Sequence, residues 1–122
     1  MNQSVTSSMP PLVDRFVAMW QLQSRVPDVF EFLASHSKIS PEEATDICRI
    51  DLQNRWQGSD EIPVEQYLAK LPMIGTCKRL KLSLVQEEFF LRQKHGQVPS
   101  VENFVLRFPD LSELLQTVLP AN

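Results

Sequence analysis

The sequence predicts an all-α fold, a small bundle of about six to seven helices that alternate between long and short. Apolar residues recur at helical spacing through most of the 122 residues. Prolines and glycines stand where those patterns begin and end. No stretch alternates apolar and polar residues between turn signals, as a half-buried strand does. These three observations together exclude a sheet-containing fold.

Composition favours one domain in a reducing compartment. Hydrophobic residues make up 43% of the chain and the net charge is −3, which argues against a general binder of nucleic acids or anionic membranes. We expect a disordered tail at residues 1–10 and a single helical domain at residues 11–122. Cys48 and Cys77 have no metal-ligand or redox-motif spacing. With no secretory signal and no apolar run of about 20 residues, we expect a cytoplasmic protein.

The first half of the chain predicts two helices and then a longer one. Pro11 opens the first helix, whose buried face consists of Val13, Phe16, Val17 and Trp20. Pro27 begins a shorter helix that ends in a Ser-rich stretch. Ser40 is a good cap for the third helix. Gly58 is well placed to end that helix in the left-handed conformation.

The second half predicts two short helices on either side of the longest one. Pro63 begins the first short helix and Pro72 ends it, because a proline biases the preceding residue away from helical geometry. Thr76 is the candidate cap of the long helix, which ends at Gly96. Ser100 caps the second short helix. A final helix follows Asp110 and ends at Pro120.

The two short helices belong to matching stretches of sequence, Ile62–Ile74 and Val98–Leu111. A fainter copy lies at Val26–Leu33, so similar segments recur about every 36 residues, a spacing typical of helical repeats. We therefore predict two clear repeat units and one degenerate unit. The clear copies align as follows: Glu65 with Glu102, Tyr67 with Phe104, Leu68 with Val105, Lys70 with Arg107, Leu71 with Phe108 and Pro72 with Pro109.

The two copies share the pattern Glu-x-[Tyr/Phe]-[Leu/Val]-x-[Lys/Arg]-[Leu/Phe]-Pro. Ahead of one copy stand Asp51-Leu52 and Arg55-Trp56, and ahead of the other stand Glu88-Phe89 and Leu91-Arg92. This arrangement resembles a known family. It is similar to the helical region found ahead of the catalytic domain in many serine/threonine protein kinases of planctomycete bacteria. The first copy departs from the pattern, with Phe30 at the position of Glu65. The resemblance implies a non-catalytic accessory region that regulates a kinase or recruits partners.

Four residues are candidate contacts with a protein partner: Lys70, Phe90, Arg107 and Phe108. Lys70 and Arg107 end the matched short helices, and arginine and aromatic residues are enriched at interface centres. Phe90 follows Phe89 on the long helix, and adjacent residues there point about 100° apart. One of the two rings therefore marks either a second packed face or an association surface.

No catalytic, cofactor-binding or metal-binding residues are predicted. Glu65 and Glu102 invite an acid/base interpretation, but both stand in the first turn of a helix, where the dipole favours a carboxylate. There is no His-Arg-Asp or Asp-Phe-Gly sequence of a kinase active site. His36 and His95 stand apart from each other and from both cysteines.

Three functions remain open at this point. The one we favour is a non-catalytic protein-interaction or regulatory module, whose protein partner could be a kinase domain in cis or in trans. The main alternative is a self-assembling signalling adaptor of the death-fold kind, which would have a Greek-key bundle of six helices. A nucleic-acid-binding helical domain would rest only on the basic cluster Lys78, Arg79 and Lys81, which is more typical of a solvated helix face.

Overall fold

The computed structural model describes residues 11–22, 26–36, 38–58 and 60–120. The predicted tail at residues 1–10 lies outside them. The described residues are all-helical, without a strand, which confirms the predicted fold class. Their eight helices are α1 (Leu12–Leu22), α2 (Val29–Ala34), α3 (Pro41–Gln57), α4 (Val64–Lys70), α5 (Pro72–Gly75), α6 (Lys78–Lys94), α7 (Val101–Arg107) and α8 (Ser112–Val118), with a 3-10 turn at Pro109–Leu111.

Long and short helices alternate from α1 to α4, but α5 adds a second short helix after α4 and the short helix α8 follows α7. The long helices α1, α3 and α6 have 11, 17 and 17 residues, and α3 packs between the other two. The short helices α2, α4 and α7 have six or seven residues. Helix α2 packs on α3, and α4 packs on α6. Helices α2 and α4 therefore each lie against the long helix that follows them in the chain, whereas α7 is followed by the short helix α8.

Several helix ends form where the sequence predicts them. The Ser40 hydroxyl accepts a hydrogen bond from the backbone N–H of Glu43 at 3.1 Å, and the Ser100 hydroxyl accepts one from that of Asn103 at 3.3 Å. Both side chains thereby satisfy an N–H that the helix itself leaves without a partner. Gly96 follows α6 with φ of +87°, the left-handed conformation that favours glycine.

Two predicted ends are wrong in detail. Gly58 does cap α3, but its φ is −95°, so it is not in the left-handed conformation. Thr76 does not cap α6: its hydroxyl donates to the carbonyl oxygen of Pro72 at 2.7 Å, and Cys77 is the N-cap residue instead. Pro72 also does more than end α4, because it occupies the first turn of the additional helix α5, as proline does readily.

The aromatic residues of the short helices anchor them in the core. Tyr67 and Phe104, the aligned pair, are both buried. The Phe104 ring lies edge-to-face with Phe89 of α6, with 5.2 Å between centroids. In the first unit, Phe32 of α2 packs against Phe16 of α1 at 5.1 Å. Such pairs contribute roughly 0.5–1.5 kcal/mol beyond the burial of their area.

Across residues 11–22, 26–36, 38–58 and 60–120, no helix combines the length and the apolar content that crossing a bilayer requires.

Candidate interaction surface

The four predicted contact residues lie in very different places. Phe90 is 45% exposed, and Lys70 is exposed with its Nζ 4.7 Å from the centre of the Phe30 ring. Phe108 is only 2% exposed, so its ring packs in the core and is not available at a surface. Arg107 turns inward rather than towards solvent. For Phe90 and Lys70 a partner contact stays a prediction.

Arg107 connects three helices. Its Nη2 and Nε donate to the two carboxylate oxygens of Glu65 on α4 at 2.7 and 2.8 Å, a bidentate pair. Its Nη1 donates to Glu88 on α6 at 2.6 Å. The guanidinium carbon also lies 4.8 Å and 4.9 Å from the ring centres of Phe104 and Phe108. Arg107 therefore holds α7 against the preceding unit.

Glu88 is the buried centre of this arrangement. It is 1% exposed, accepts from Arg92 Nε at 2.9 Å and accepts from the backbone N–H of Val64 at 3.3 Å. Burial by itself would raise the pKa of Glu88, but the hydrogen bonds from Arg107 and Arg92 outweigh it and hold that pKa below its ordinary range. We call Glu65, Glu88, Arg92 and Arg107 the Glu88 cluster.

A second buried carboxylate lies in the preceding unit. Asp51 of α3 is fully buried, and its Oδ2 accepts from Arg55 Nε at 2.7 Å and from the Tyr67 hydroxyl at 2.5 Å. Burial raises the pKa of Asp51 in spite of these two donors. The buried Trp20 indole N–H and Asp51 Oδ1 have no hydrogen-bond partner among the described residues. We call Asp51, Arg55 and Tyr67 the Asp51 cluster.

The two clusters occupy equivalent places in the repeat. In each, the arginine stands four residues after the buried acid. Arg55 Nη1 donates to the Asp60 carboxylate at 3.3 Å, and Arg92 Nη1 donates to Gln97 Oε1 at 2.8 Å. In return, the backbone N–H of Asp60 donates to the carbonyl oxygen of Arg55, and that of Gln97 donates to the carbonyl oxygen of Arg92, both at 2.9 Å. The repeat therefore extends from the short helices into the long helices and the loops after them.

A groove lies at the other side of α7, between α7 and α8. It has a volume of about 610 Å³. Leu106 on its wall is 80% exposed. Val98 in the loop before α7 is 83% exposed, but it lines a separate recess next to Glu65 and Arg107. We call the groove between α7 and α8 the open groove, and its walls include Val101, Glu102, Val105, Leu106, Gln116 and Leu119.

The i, i+4 spacing of Glu88 and Arg92 predicts an ion pair on the surface or rim of α6, whereas the structure buries the acid. Sequence reasoning did not find the Asp51 cluster, nor the link from Arg107 to Glu65 across 42 positions. A signal was available: an acid and an arginine at i, i+4 precede both matched motifs at the same distance. That signal indicates a repeated pair, but it does not reveal that the acid is buried.

The titratable side chains in the core are constrained by their surroundings. The buried acids are each held by arginine, and burial raises the pKa of the Cys48 thiol, which leaves it a poor nucleophile. Among the described residues, no group of three or more histidine, cysteine or acidic side chains is arranged to hold a metal ion. The chain matches no protein-family model, no curated protein and no solved structure.

Proposed function

We propose that the chain is a non-catalytic protein-interaction module that regulates or recruits a partner, as the resemblance to the region ahead of planctomycete kinase domains implies. The observation that carries this proposal is the distribution of exposed apolar side chains. Of the seven large ones among the described residues, four belong to α7, α8 or the loop before α7: Val98, Leu106, Leu114 and Val118. Concentrations of this kind are typical of protein-interaction sites.

The use of charge within the molecule also supports the proposal. The arginines of both clusters are committed to buried carboxylates, so they hold the units together rather than face a ligand. What the α7–α8 end offers to a partner is therefore mainly apolar surface. A kinase domain, in the same polypeptide or in another, is the partner that the resemblance implies, in the cytoplasm.

The packing order favours this function over the death-fold alternative. Helix α3 packs on both α1 and α6, and α2 and α4 each lie on the next long helix. A Greek-key bundle of six helices would not produce this repeated pairing of a short helix with the next long one. Stacked helical units commonly present extended binding surfaces in the proteins that contain them.

The proposal is tested by capturing partners from extract of the native cells on the purified, immobilised chain, followed by mass spectrometry. We expect a serine/threonine kinase catalytic domain among the captured proteins. A double variant, Val98→Glu with Leu106→Glu, should lose it, whereas Leu22→Glu, a change at an equally exposed leucine of α1, should keep it. Capture of no kinase catalytic domain by wild type would contradict the proposal. Its capture by wild type and double variant alike would place the contact away from Val98 and Leu106.

A further inference from the structure

Each short helix that is followed by another unit receives a basic side chain from it. Arg107, at the end of α7, reaches back to Glu65 on α4 with its shortest contact at 2.7 Å. Lys70, the aligned residue at the end of α4, reaches back to Phe30 on α2, with Nζ 4.7 Å from the ring centre. Phe30 stands where Glu65 stands in the repeat. The same position is therefore contacted by a cation twice, once as an ion pair and once as a cation–π contact.

The same two short helices are covered by the long helix of the next unit. Val29 of α2 and Val64 of α4 occupy equivalent positions, and both are fully buried. The backbone N–H of Val64 is even bound by Glu88, beyond the midpoint of the 17-residue helix α6. At the corresponding place after α7 the chain provides α8, which has only seven residues.

Helix α7 packs against a following short helix, α8, instead of a following long helix, and among the described residues it lacks the cation that α2 and α4 receive. Val101, the equivalent of Val29 and Val64, is only half-buried and lies in the wall of the open groove. Glu102, the equivalent of Glu65, is exposed, and within the described part of the chain no cation pairs with its carboxylate. Leu106 beside it is 80% exposed.

We propose that the open groove binds an amphipathic helix of a partner protein, which places apolar residues against Val101, Val105 and Leu106 and a lysine or arginine against Glu102. The inference rests on the proposed interaction function and specifies its surface. Charge complementarity sets the sign of the partner, because a basic residue approaches the equivalent position in both earlier units.

A second copy of the chain, stacked on α7 by its first unit, does not fit this requirement. The first short helix α2, with the sequence VFEFLA, contains no basic residue. Ser35 stands at the position equivalent to Lys70 and Arg107, so this unit would bring no cation to Glu102. The occupant is therefore a helix of different sequence, with a basic polar face.

The test uses the intact chain and three synthetic helical peptides of about 18 residues, long enough to form isolated helices. The peptides share one apolar face of leucine and valine, and their polar faces are rich in lysine, glutamine or glutamate. We expect the lysine peptide to bind about tenfold more tightly than the glutamate peptide, because an attraction replaces a repulsion at the rim of the groove. Chemical-shift changes in the chain should centre on Val101, Val105 and Leu106.

Two variants and a control complete the experiment. Glu102→Lys should reverse the preference, so that the glutamate peptide binds more tightly than the lysine peptide. Leu106→Glu should abolish binding, whereas Leu22→Glu, at an equally exposed leucine far along the chain, should leave it unchanged. Equal binding of all three peptides, or an unaltered preference in Glu102→Lys, would overturn the assignment of the groove.

The outcome is distinguishable from a failure of the proposed function. If Leu106→Glu still captures the partner found in native extract, the interaction function stands and the groove is not its site. If wild type captures no partner, the function itself fails whatever the peptides do. Both variants are checked first for a wild-type unfolding transition, which the high exposure of Leu106 leads us to expect.

Discussion

The Asp51 and Glu88 clusters place the same kind of group in the same position of two repeat units, and yet they stabilise it differently. Asp51 is held by one arginine and the Tyr67 hydroxyl, and its pKa lies above its ordinary value. Glu88 is held by two arginines, and its pKa lies below its ordinary value. Both units thus contain a buried acid with an arginine four residues later, but the further donor differs: it is the Tyr67 hydroxyl at Asp51 and Arg107 at Glu88.

The number of cations decides the direction of each shift. Removing a carboxylate from water costs several kcal/mol, even after the protein has relaxed around it. One arginine and a hydroxyl do not fully offset that cost at Asp51, whereas two arginines more than offset it at Glu88. Phe104 has no hydroxyl where Tyr67 has one, and Arg107 supplies the missing donor from the next turn of the short helix.

The largest effect is expected from Arg107→Ala. The change leaves Glu88 buried with a single cation and removes the partner of Glu65, so the free energy of unfolding should fall by about 3–5 kcal/mol. Urea denaturation followed by circular dichroism measures it. A loss below about 1 kcal/mol, the range of exposed ion pairs, would show that Arg107 is a surface residue, as the sequence predicted.

Tyr67→Phe should have the next largest effect. It removes one donor from a fully buried carboxylate without creating a cavity, so we expect a loss of about 1–3 kcal/mol. The same urea titration gives the value. Phe90→Leu, at a partly exposed ring of α6, is the control and should lower the free energy of unfolding far less. Phe89→Leu would not serve, because that ring is buried and its loss alters the packing. A Tyr67→Phe variant as stable as wild type would mean that the Asp51 cluster does not need its hydroxyl.

The helix caps and the inward turn of Arg107 show which parts of the structure the sequence could predict. The alternation of helices and the caps at Ser40 and Ser100 were predictable, because capping and periodicity are local properties of the chain. The inward turn of Arg107 was not, because its partner Glu65 is 42 positions away and the pairing depends on how α4 and α7 stack. The burial of Phe108 follows from the same stacking.

Phe104→Tyr tests whether a tyrosine hydroxyl can replace the second arginine as a hydrogen-bond donor to the buried acid. In the Arg107→Ala background, the added hydroxyl should reach Glu88 as the Tyr67 hydroxyl reaches Asp51, and should restore about 1 kcal/mol of the lost stability. In the wild-type background the same change should not raise the free energy of unfolding, because Arg107 already donates hydrogen bonds to the Glu88 carboxylate. A double-mutant cycle by urea denaturation separates the two cases. Absence of any coupling would argue against equivalent geometry in the two units.

The smallest effect is expected from Lys70→Ala. Lys70 aligns with Arg107, but its ammonium lies over the Phe30 ring and forms no buried ion pair. An exposed cation–π contact contributes about 0.5–1 kcal/mol, and the loss should stay within that range. Lys70→Arg should retain most of the contact and provides the matched control. A loss as large as that of Arg107→Ala would remove the contrast between the two units.

The opposite pKa shifts give opposite effects of pH on stability. Because the pKa of Glu88 is lowered from 4.5 in the folded state, the stability it contributes is present above that value and is lost as pH falls through the lowered pKa. Because the pKa of Asp51 is raised from 3.8, its protonation favours the folded state, and its contribution improves as pH falls through the raised pKa.

The most direct test of this account is a titration of the side-chain carboxyl carbons of Asp51 and Glu88 by NMR, with Asp51→Asn and Glu88→Gln to assign the two signals. We expect Asp51 to titrate above 3.8 and Glu88 below 4.5 in the same sample. Shifts of both groups in the same direction would contradict it, because two equivalent acids would then have equivalent partners.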